Sequence, residues 1–168
     1  RDLRAQGFEF CFIGGLALQR WGEVRQTNDI DLTVECALGD ELKALEKLLN
    51  ILKPRTDRLE DVARVGRMFV GYSKAGTEVD ISLGCIAYER RLMARAVDVD
   101  FGIDEPLHCC SAEDLVILKT VAGRGQDRVD IGRLCQRIGA PIDWDLVFGE
   151  LEPLLESIHK PAPLGRLL

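Results

Sequence analysis

The chain has 168 residues, of which 46% are hydrophobic and 30% are charged, and its formal net charge is −6. This length fits one domain, or one α/β domain with a small helical addition, and the apolar fraction is ample for a core. The negative charge argues against a protein that coats nucleic acid broadly, although a local basic cleft is compatible with it. Apolar runs are too short to cross a membrane and no leader-like segment precedes the first strand, so we expect a soluble, cytoplasmic protein.

The first predicted strand runs from Phe8 to Ile13 and stops at the pair Gly14–Gly15, and residues 16–21 then show a short helical pattern. Glycine after an apolar strand lets backbone N–H groups approach a ligand, and the N-terminus of the following helix favours anions. The pair therefore fits a turn that holds phosphates. A glycine pair on its own is also typical of an ordinary tight turn.

The second predicted strand carries Asp29 and Asp31, two residues apart. Because side chains alternate between the faces of a strand, both carboxylates point to one side, and Ile30 and Leu32 point to the other. Carboxylates this close repel each other unless a cation or a proton relieves them, and Mg²⁺ prefers such oxygen ligands. The pattern indicates a metal site, and the spacing alone leaves a plain solvent-exposed strand face as the alternative.

A third acid, Asp80, lies in the second strand of a predicted hairpin. Residues 67–73 and 78–83 alternate like two strands around a turn that contains glycine. If this hairpin pairs with the earlier strand, Asp80 comes to lie beside Asp29 and Asp31. Three convergent carboxylates next to a phosphate-holding turn predict a metal-dependent phosphoryl-transfer site.

The remaining elements are mostly helical. Helices are predicted over residues 40–52, 89–96, 111–122, 127–138 and 144–155, and short strands over 97–101 and 107–110. In the third of these helices Ser111 fits the N-cap and Asp114 fits the acid of a capping box. Lys119 lies close to the apolar stripe of the same helix, where a lysine usually extends to water.

The most basic stretch of this acidic chain follows Lys119. Its arginines fit either an acceptor groove or a solvated helix face paired with two aspartates. The arginines are Arg124, Arg128, Arg133 and Arg137, and the aspartates are Asp127 and Asp130.

Three of these motifs together resemble the signature of the polymerase-β-like nucleotidyltransferase superfamily. They are Gly14–Gly15, the stretch Thr27–Leu32 with its two aspartates, and Val79–Ile81 with its one. The stretches 111–119, 122–124 and 127–131 are similar to the lysine-bearing helix and following aspartates of small bacterial proteins related to AbiEii-type abortive-infection toxins. The resemblance spans Phe8 to about Leu134. One departure is that many superfamily members have serine where this chain has Gly15.

The resemblance implies an enzyme that moves a nucleoside monophosphate from a nucleoside triphosphate such as ATP to a hydroxyl acceptor. Asp29 and Asp31 would hold two Mg²⁺ ions, and Asp80 would share one of them and take the proton of the acceptor. The predicted nucleotide-binding residues are Gly14, Gly15, Arg25, Thr27 and Lys119. For Arg25, contact with a phosphate and pairing with Asp29 are both open.

We therefore predict an α/β fold in which helices flank a mixed, twisted sheet, as in nucleotidyltransferases. Residues 1–110 would form the catalytic core and residues 111–168 a C-terminal helical region, packed on the core or forming a small lobe. The lysine-bearing helix favours a toxin-like enzyme that modifies RNA, such as tRNA, or a protein, with an antitoxin as partner. The net charge favours a small-molecule acceptor of the antibiotic type, and a non-catalytic nucleotide-binding module is the third alternative.

Overall fold

The computed structural model describes residues 1–21, 26–137 and 142–157. In these residues seven strands form a single mixed sheet in the order β3-β4-β5-β2-β1-β7-β6. The strands are β1 Phe10–Phe12, β2 Asp29–Glu35, β3 Lys53–Pro54, β4 Met68–Tyr72, β5 Glu78–Gly84, β6 Val97–Val99 and β7 Leu107–Cys109. The neighbouring pairs β2–β5 and β1–β7 are parallel, and the other neighbours are antiparallel.

Helices cover both faces of this sheet. They are α1 Asp2–Ala5, α2 Gly14–Trp21, α3 Glu41–Leu49, α4 Leu59–Arg64, α5 Ala87–Arg95, α6 Ala112–Ala122, α7 Gly125–Arg137 and α8 Trp144–Ser157. The prediction of a mixed sheet flanked by helices is confirmed. Across the described ranges, none of the helices is long and apolar enough to cross a membrane.

Alternation along the central strands β2 and β5 separates an apolar face from an acidic one. Leu32 and Val34 of β2 and Ile81 of β5 are buried in a core with Leu45 and Leu48 of α3. Residues at the intervening positions therefore point to the opposite face of the sheet, as period two requires. These include the three aspartates that the sequence singled out.

A second core lies on that opposite face and joins the C-terminal helices to the rest of the fold. Leu115 of α6 and Leu151 of α8 are buried in one cluster with Cys11 of β1 and Ala17 and Leu18 of α2. The helices after Ser111 therefore pack against one face of the sheet. The division of the chain at residue 110 stays a prediction.

The helix α6 begins and ends where its sequence indicates. The hydroxyl of Ser111 accepts a hydrogen bond from the Asp114 N–H at 3.1 Å, and Gly123 ends the helix with a φ of +65°. The Asp114 carboxylate returns to the hydroxyl of Ser111 at 2.9 Å, where a capping box would use the Ser111 backbone N–H, and this fully buried group also accepts hydrogen bonds from Arg95 at 2.6 and 2.9 Å. A buried carboxylate needs a charged partner more than a helix end needs a second cap.

The strand β3 was not predicted. We expected Pro54 only to end the preceding helix, whereas Lys53 and Pro54 pair with β4 at the edge of the sheet. Proline is tolerated in an edge strand because a missing N–H there breaks no ladder on the outer side. This short strand delivers the next residue, Arg55, to the acidic face.

Candidate active site

The register of β2 with β5 brings the three aspartates to one face of the sheet. Asp31 lies directly beside Asp80, and Asp29 lies beside Glu78, in a parallel pairing that runs without interruption from residue 29 to residue 35. Side chains of directly paired residues point to the same side of a sheet. Asp29 is exposed, whereas Asp31 and Asp80 are half-buried. The result is a strongly acidic surface at one end of two adjacent strands.

The electrostatics of Asp31 reflect this crowding. Burial raises the pKa of Asp31, and the charges of Asp29 and Asp80 raise it further. A hydrogen bond from the Gly15 backbone N–H and the positive charge of Arg124 act in the opposite direction. The ionised form of Asp31 is therefore destabilised in the protein without a bound ligand, and a bound cation would offset this destabilisation.

The glycine corner lies directly against Asp31. The N–H of Ile13 donates a hydrogen bond to the Asp31 carbonyl at 2.9 Å, and Gly14 then begins α2 with a φ of +57°. A Cβ built on Gly14 would overlap the Asp31 carboxylate. Gly14 thus meets two requirements that only glycine satisfies easily, a left-handed backbone and a close approach to a side chain.

Thr27 explains the absence of a serine at position 15. A Cβ built on Gly15 would overlap the Thr27 hydroxyl. That hydroxyl in turn donates to the Asp29 carboxylate at 2.8 Å. The space that a serine would need at position 15 is therefore occupied by Thr27, which orients Asp29.

Arg55 is part of the site and was missed by the sequence analysis. Its guanidinium donates to Glu78 at 2.6 Å and to Asp80 at 2.9 Å. An acidic cluster attracts an arginine, but only the pairing of β3 with β4 determines which arginine it is. Nothing local to the sequence around Arg55 signals that contact.

Lys119, which was predicted to bind phosphates, is held by two aspartates of α7. Its side chain is buried, and Nζ donates to Asp130 at 2.7 Å and to Asp127 at 3.2 Å. In the described part of the chain, Arg124 is a cation whose charge interacts with those of Asp29 and Asp31. The other predicted basic ligand, Arg25, lies outside the described residues.

The donor set suits a hard divalent cation, because Asp29, Asp31 and Asp80 offer only carboxylate oxygens. Across the ranges that the structure describes, however, no three carboxylate, histidine or cysteine side chains are grouped closely enough to hold an ion. Asp80 is paired with Arg55 instead. Asp29 and Asp31 are therefore the pair that fits a metal directly, and Asp80 would join them only on leaving Arg55.

The structure thus brings Asp29, Asp31 and Asp80 to one face of a mixed sheet, with the glycine corner directly against Asp31. A family model described as "Nucleotidyl transferase AbiEii toxin, Type IV TA system" matches residues 2–164. The chain belongs to this family and is a nucleotidyltransferase. This confirms the resemblance that the sequence motifs indicated.

Two solved structures share the fold at low sequence identity. One is ANT(2″)-Ia in complex with adenylyl-2″-tobramycin, with a TM-score of 0.54, 17% identity, and coverage of 94% of this chain and 92% of that chain. The other is the lincosamide antibiotic adenylyltransferase LnuA with bound lincomycin, with a TM-score of 0.52, 13% identity, and coverage of 79% and 89%. No curated protein matches the sequence significantly.

Proposed function

We propose that this nucleotidyltransferase transfers a nucleoside monophosphate from a nucleoside triphosphate to a hydroxyl group in a Mg²⁺-dependent reaction. The observation that carries the proposal is the direct pairing of Asp31 with Asp80, with Asp29 on the same face. Burial and the charges of the two neighbouring aspartates raise the pKa of Asp31 unless a cation offsets them. Asp29, Asp31 and Asp80 would hold the metal, as two ions, which would supply positive charge to the reacting phosphates.

The chemistry is an in-line substitution at the α-phosphorus. The acceptor oxygen forms a bond to that phosphorus, the bond from it to the bridging oxygen of the β-phosphate breaks, and pyrophosphate leaves with the bonding electrons. The acceptor hydroxyl loses its proton to the carboxylate of Asp80, which must first leave Arg55. The roles of the residues in binding the nucleotide follow from their positions. Gly14 and Gly15, at the N-terminus of α2, would lie next to the β and γ phosphates, and Thr27 would orient Asp29.

The acceptor in this proposal is RNA, such as tRNA, or a protein, and an antitoxin is the expected partner. Membership of a toxin family supports this choice. A small-molecule acceptor is the second candidate, supported by the net charge and by the fold that the chain shares with two antibiotic-modifying enzymes. Incubation with labelled nucleoside triphosphates, Mg²⁺ and total RNA, cell extract or an aminoglycoside would separate these acceptors. We expect label in the macromolecular fraction, and label in the aminoglycoside alone would reverse the order of the two candidates.

Replacing Asp31 tests the proposed site most directly. We expect Asp31→Asn to lower transfer by about 100-fold or more, because the variant keeps the shape of the side chain but loses its charge. In the absence of Mg²⁺ the variant should be as stable as the wild type or melt about 1–3 °C higher. The reason is that the raised pKa of Asp31 makes its ionised form oppose folding near neutral pH.

The matched control is Glu35→Gln, at the exposed end of the same strand. It makes the same chemical change away from the paired acids and should leave transfer unchanged. Transfer that survives in Asp31→Asn, or that is lost equally in Glu35→Gln, would contradict the assignment. Nucleotide binding with no dependence on Mg²⁺ and no transfer to any acceptor would favour a non-catalytic module.

A further inference from the structure

A buried ionic cluster ties the end of α6 to the beginning of α7. Lys119, Asp127 and Asp130 are 7%, 1% and 1% exposed, and the ammonium of Lys119 lies between the two carboxylates at 3.2 and 2.7 Å. Removing charges from water is costly, so such a cluster is weak evidence for stability by itself. Its position suggests another use.

Asp127 connects this cluster to Arg124. Its carboxylate accepts hydrogen bonds from the Arg124 backbone N–H at 3.1 Å, from Nε at 2.7 Å and from Nη2 at 3.2 Å. The backbone contact caps α7 at its N-terminus, and the two guanidinium contacts fix the plane of the side chain. Asp127 is in turn held by Lys119. The guanidinium of Arg124 is therefore oriented by the carboxylate of Asp127, and that carboxylate is itself held in place by Lys119.

Arg124 stands at the edge of the acidic face. Both α6 and α7 pack against α2, whose first residues form the glycine corner beside Asp31. The Arg124 side chain is 75% exposed although its Nε edge is anchored. Among the described residues, its Nη1 makes no hydrogen bond. The guanidinium of Arg124 is also close enough to Asp31 and Asp29 to interact with their charges.

We propose that Arg124 is a nucleotide-binding residue that contacts the β and γ phosphates, and that Lys119 and Asp127 are positioning residues that hold it there. This inference rests on the proposed function, since it concerns the same site. It reassigns the role that the sequence gave to Lys119. The lysine acts through Asp127 and Arg124, and the arginine touches the ligand.

The chemistry favours an arginine in this place. A guanidinium offers parallel N–H donors that match two phosphate oxygens, and it stays protonated beside any number of acids. With Nε and one N–H of Nη2 bound to Asp127, the other N–H of Nη2 and both N–H groups of Nη1 are left to face a ligand. Pyrophosphate gains negative charge as it leaves the α-phosphorus, so a fixed cation next to it stabilises that stage of the reaction.

The alternative is that Arg124 only forms a surface ion pair with Asp127 and binds no ligand. The affinity of the protein for pyrophosphate distinguishes the two hypotheses. Titration calorimetry with pyrophosphate and excess Mg²⁺ reads the contact without needing an acceptor. We expect Arg124→Gln to weaken binding of pyrophosphate and of a non-hydrolysable nucleoside triphosphate by about 10- to 100-fold, and Arg124→Lys to recover part of the loss. Binding of nucleoside monophosphate should not change. The control is Arg64→Gln, an exposed arginine on α4 across the sheet, which should bind as the wild type does.

The positioning role is tested by combining variants. Lys119→Met should lose most of the same pyrophosphate affinity, and adding it to Arg124→Gln should cost little more, because both changes remove one contact. If the double variant loses as much binding free energy for pyrophosphate as the two single variants together, Lys119 does not act through Arg124. Lys119→Met removes the ammonium group that pairs with two buried carboxylates, so the variant is expected to be less stable. Its binding is therefore measured at a temperature at which its circular dichroism matches that of the wild type and the variant is folded.

Two outcomes keep this inference apart from the proposed function. Wild-type affinity of Arg124→Gln for pyrophosphate and triphosphate would overturn the inference, even if transfer occurs as proposed. Wild-type protein that transfers nothing, while Arg124→Gln loses pyrophosphate binding, would refute the transfer reaction and support the phosphate contact.

Discussion

At the scale of single residues, Gly14 couples the backbone of the corner to the carboxylate of Asp31. Gly14→Ala should destabilise the protein by about 1 kcal/mol or more, because alanine resists a φ of +57°. It should also lower transfer at least tenfold, because the new methyl group would displace the Asp31 carboxylate. Urea unfolding and the transfer assay measure the two effects separately.

The hairpin turn offers a matched control for the backbone strain. Gly76 has a φ of +86° and no atom near the place of an added Cβ. Gly76→Ala should therefore cost similar stability and keep full transfer. If both variants lose transfer equally, the loss comes from general destabilisation and the close contact with Asp31 has no special importance.

In the proposed reaction, Arg55 would compete with a metal ion for the carboxylate of Asp80. We expect Arg55→Gln to lower the Mg²⁺ concentration needed for half-maximal transfer by about 2- to 5-fold, since a half-exposed ion pair is worth little and its loss frees the carboxylate. A Mg²⁺ titration of the transfer rate gives the result. Arg58→Gln, which removes an exposed ion pair with Asp61 nearby, is the control. A higher Mg²⁺ requirement in Arg55→Gln would show that Arg55 supports the site.

The sequence indicated which acids lie together in the fold better than it indicated which cations lie near them. Asp29 and Asp31 can be recognised in the sequence because two carboxylates on one face of a strand are unusual. The alternation of the predicted hairpin strand then indicates that Asp80 can point to the same side. Arg55 and Arg124 reach the same place through the pairing of a two-residue strand and through the packing of α7 on α2. Such contacts join distant segments and leave no local pattern.

At the scale of elements, Glu150 ties α8 to α5. It accepts hydrogen bonds from Arg91 at 2.6 and 2.8 Å and from Arg95 at 2.8 Å, and these bonds, that of Arg91 first, hold the pKa of Glu150 below its usual range. A carboxyl group whose pKa is lowered by folding stabilises the protein above its unfolded pKa. That stabilisation is lost as the pH falls through the folded pKa.

We therefore expect Glu150→Gln to lower the free energy of unfolding by about 1–3 kcal/mol near neutral pH. The difference from the wild type should shrink as the pH falls below the ordinary pKa of glutamate and through the lowered pKa of Glu150, because the wild-type carboxylate is then protonated as well. Urea unfolding across this pH range is the measurement. Glu152→Gln, exposed on the same helix, should have no such effect. A difference that is constant with pH would contradict the role of the charge.

Elements with strong local patterns were predicted well. The hairpin β4–β5, the amphipathic helix α3 and the capped helix α6 lie where periodicity and capping residues place them. The strand β3, and the pairing of Asp114 with Arg95, depend on partners far away in the chain. Local propensity says nothing about such partners, so these two features could not be predicted.

At the scale of the whole molecule, the C-terminal helices complete the core around β1 and α2. A chain that stops at residue 110 would leave the buried residues Cys11, Ala17 and Leu18 without the α6 and α8 side chains that cover them. We expect such a chain to show no cooperative thermal unfolding and to aggregate, unlike the full chain. Circular dichroism melts of both proteins make the comparison. A cooperative melt of the truncated chain would support an independent core that ends at residue 110.

The parallel pairing of β2 with β5 determines when the parts of the candidate site come together during synthesis of the chain. Parallel neighbours need a crossover, and here it spans residues 36–77. Asp31 is therefore synthesised well before its neighbour Asp80, and Arg124 is synthesised later still. We expect the nascent chain to carry out no nucleotidyl transfer until translation has passed α7, because the paired acids and Arg124 are not all present before then.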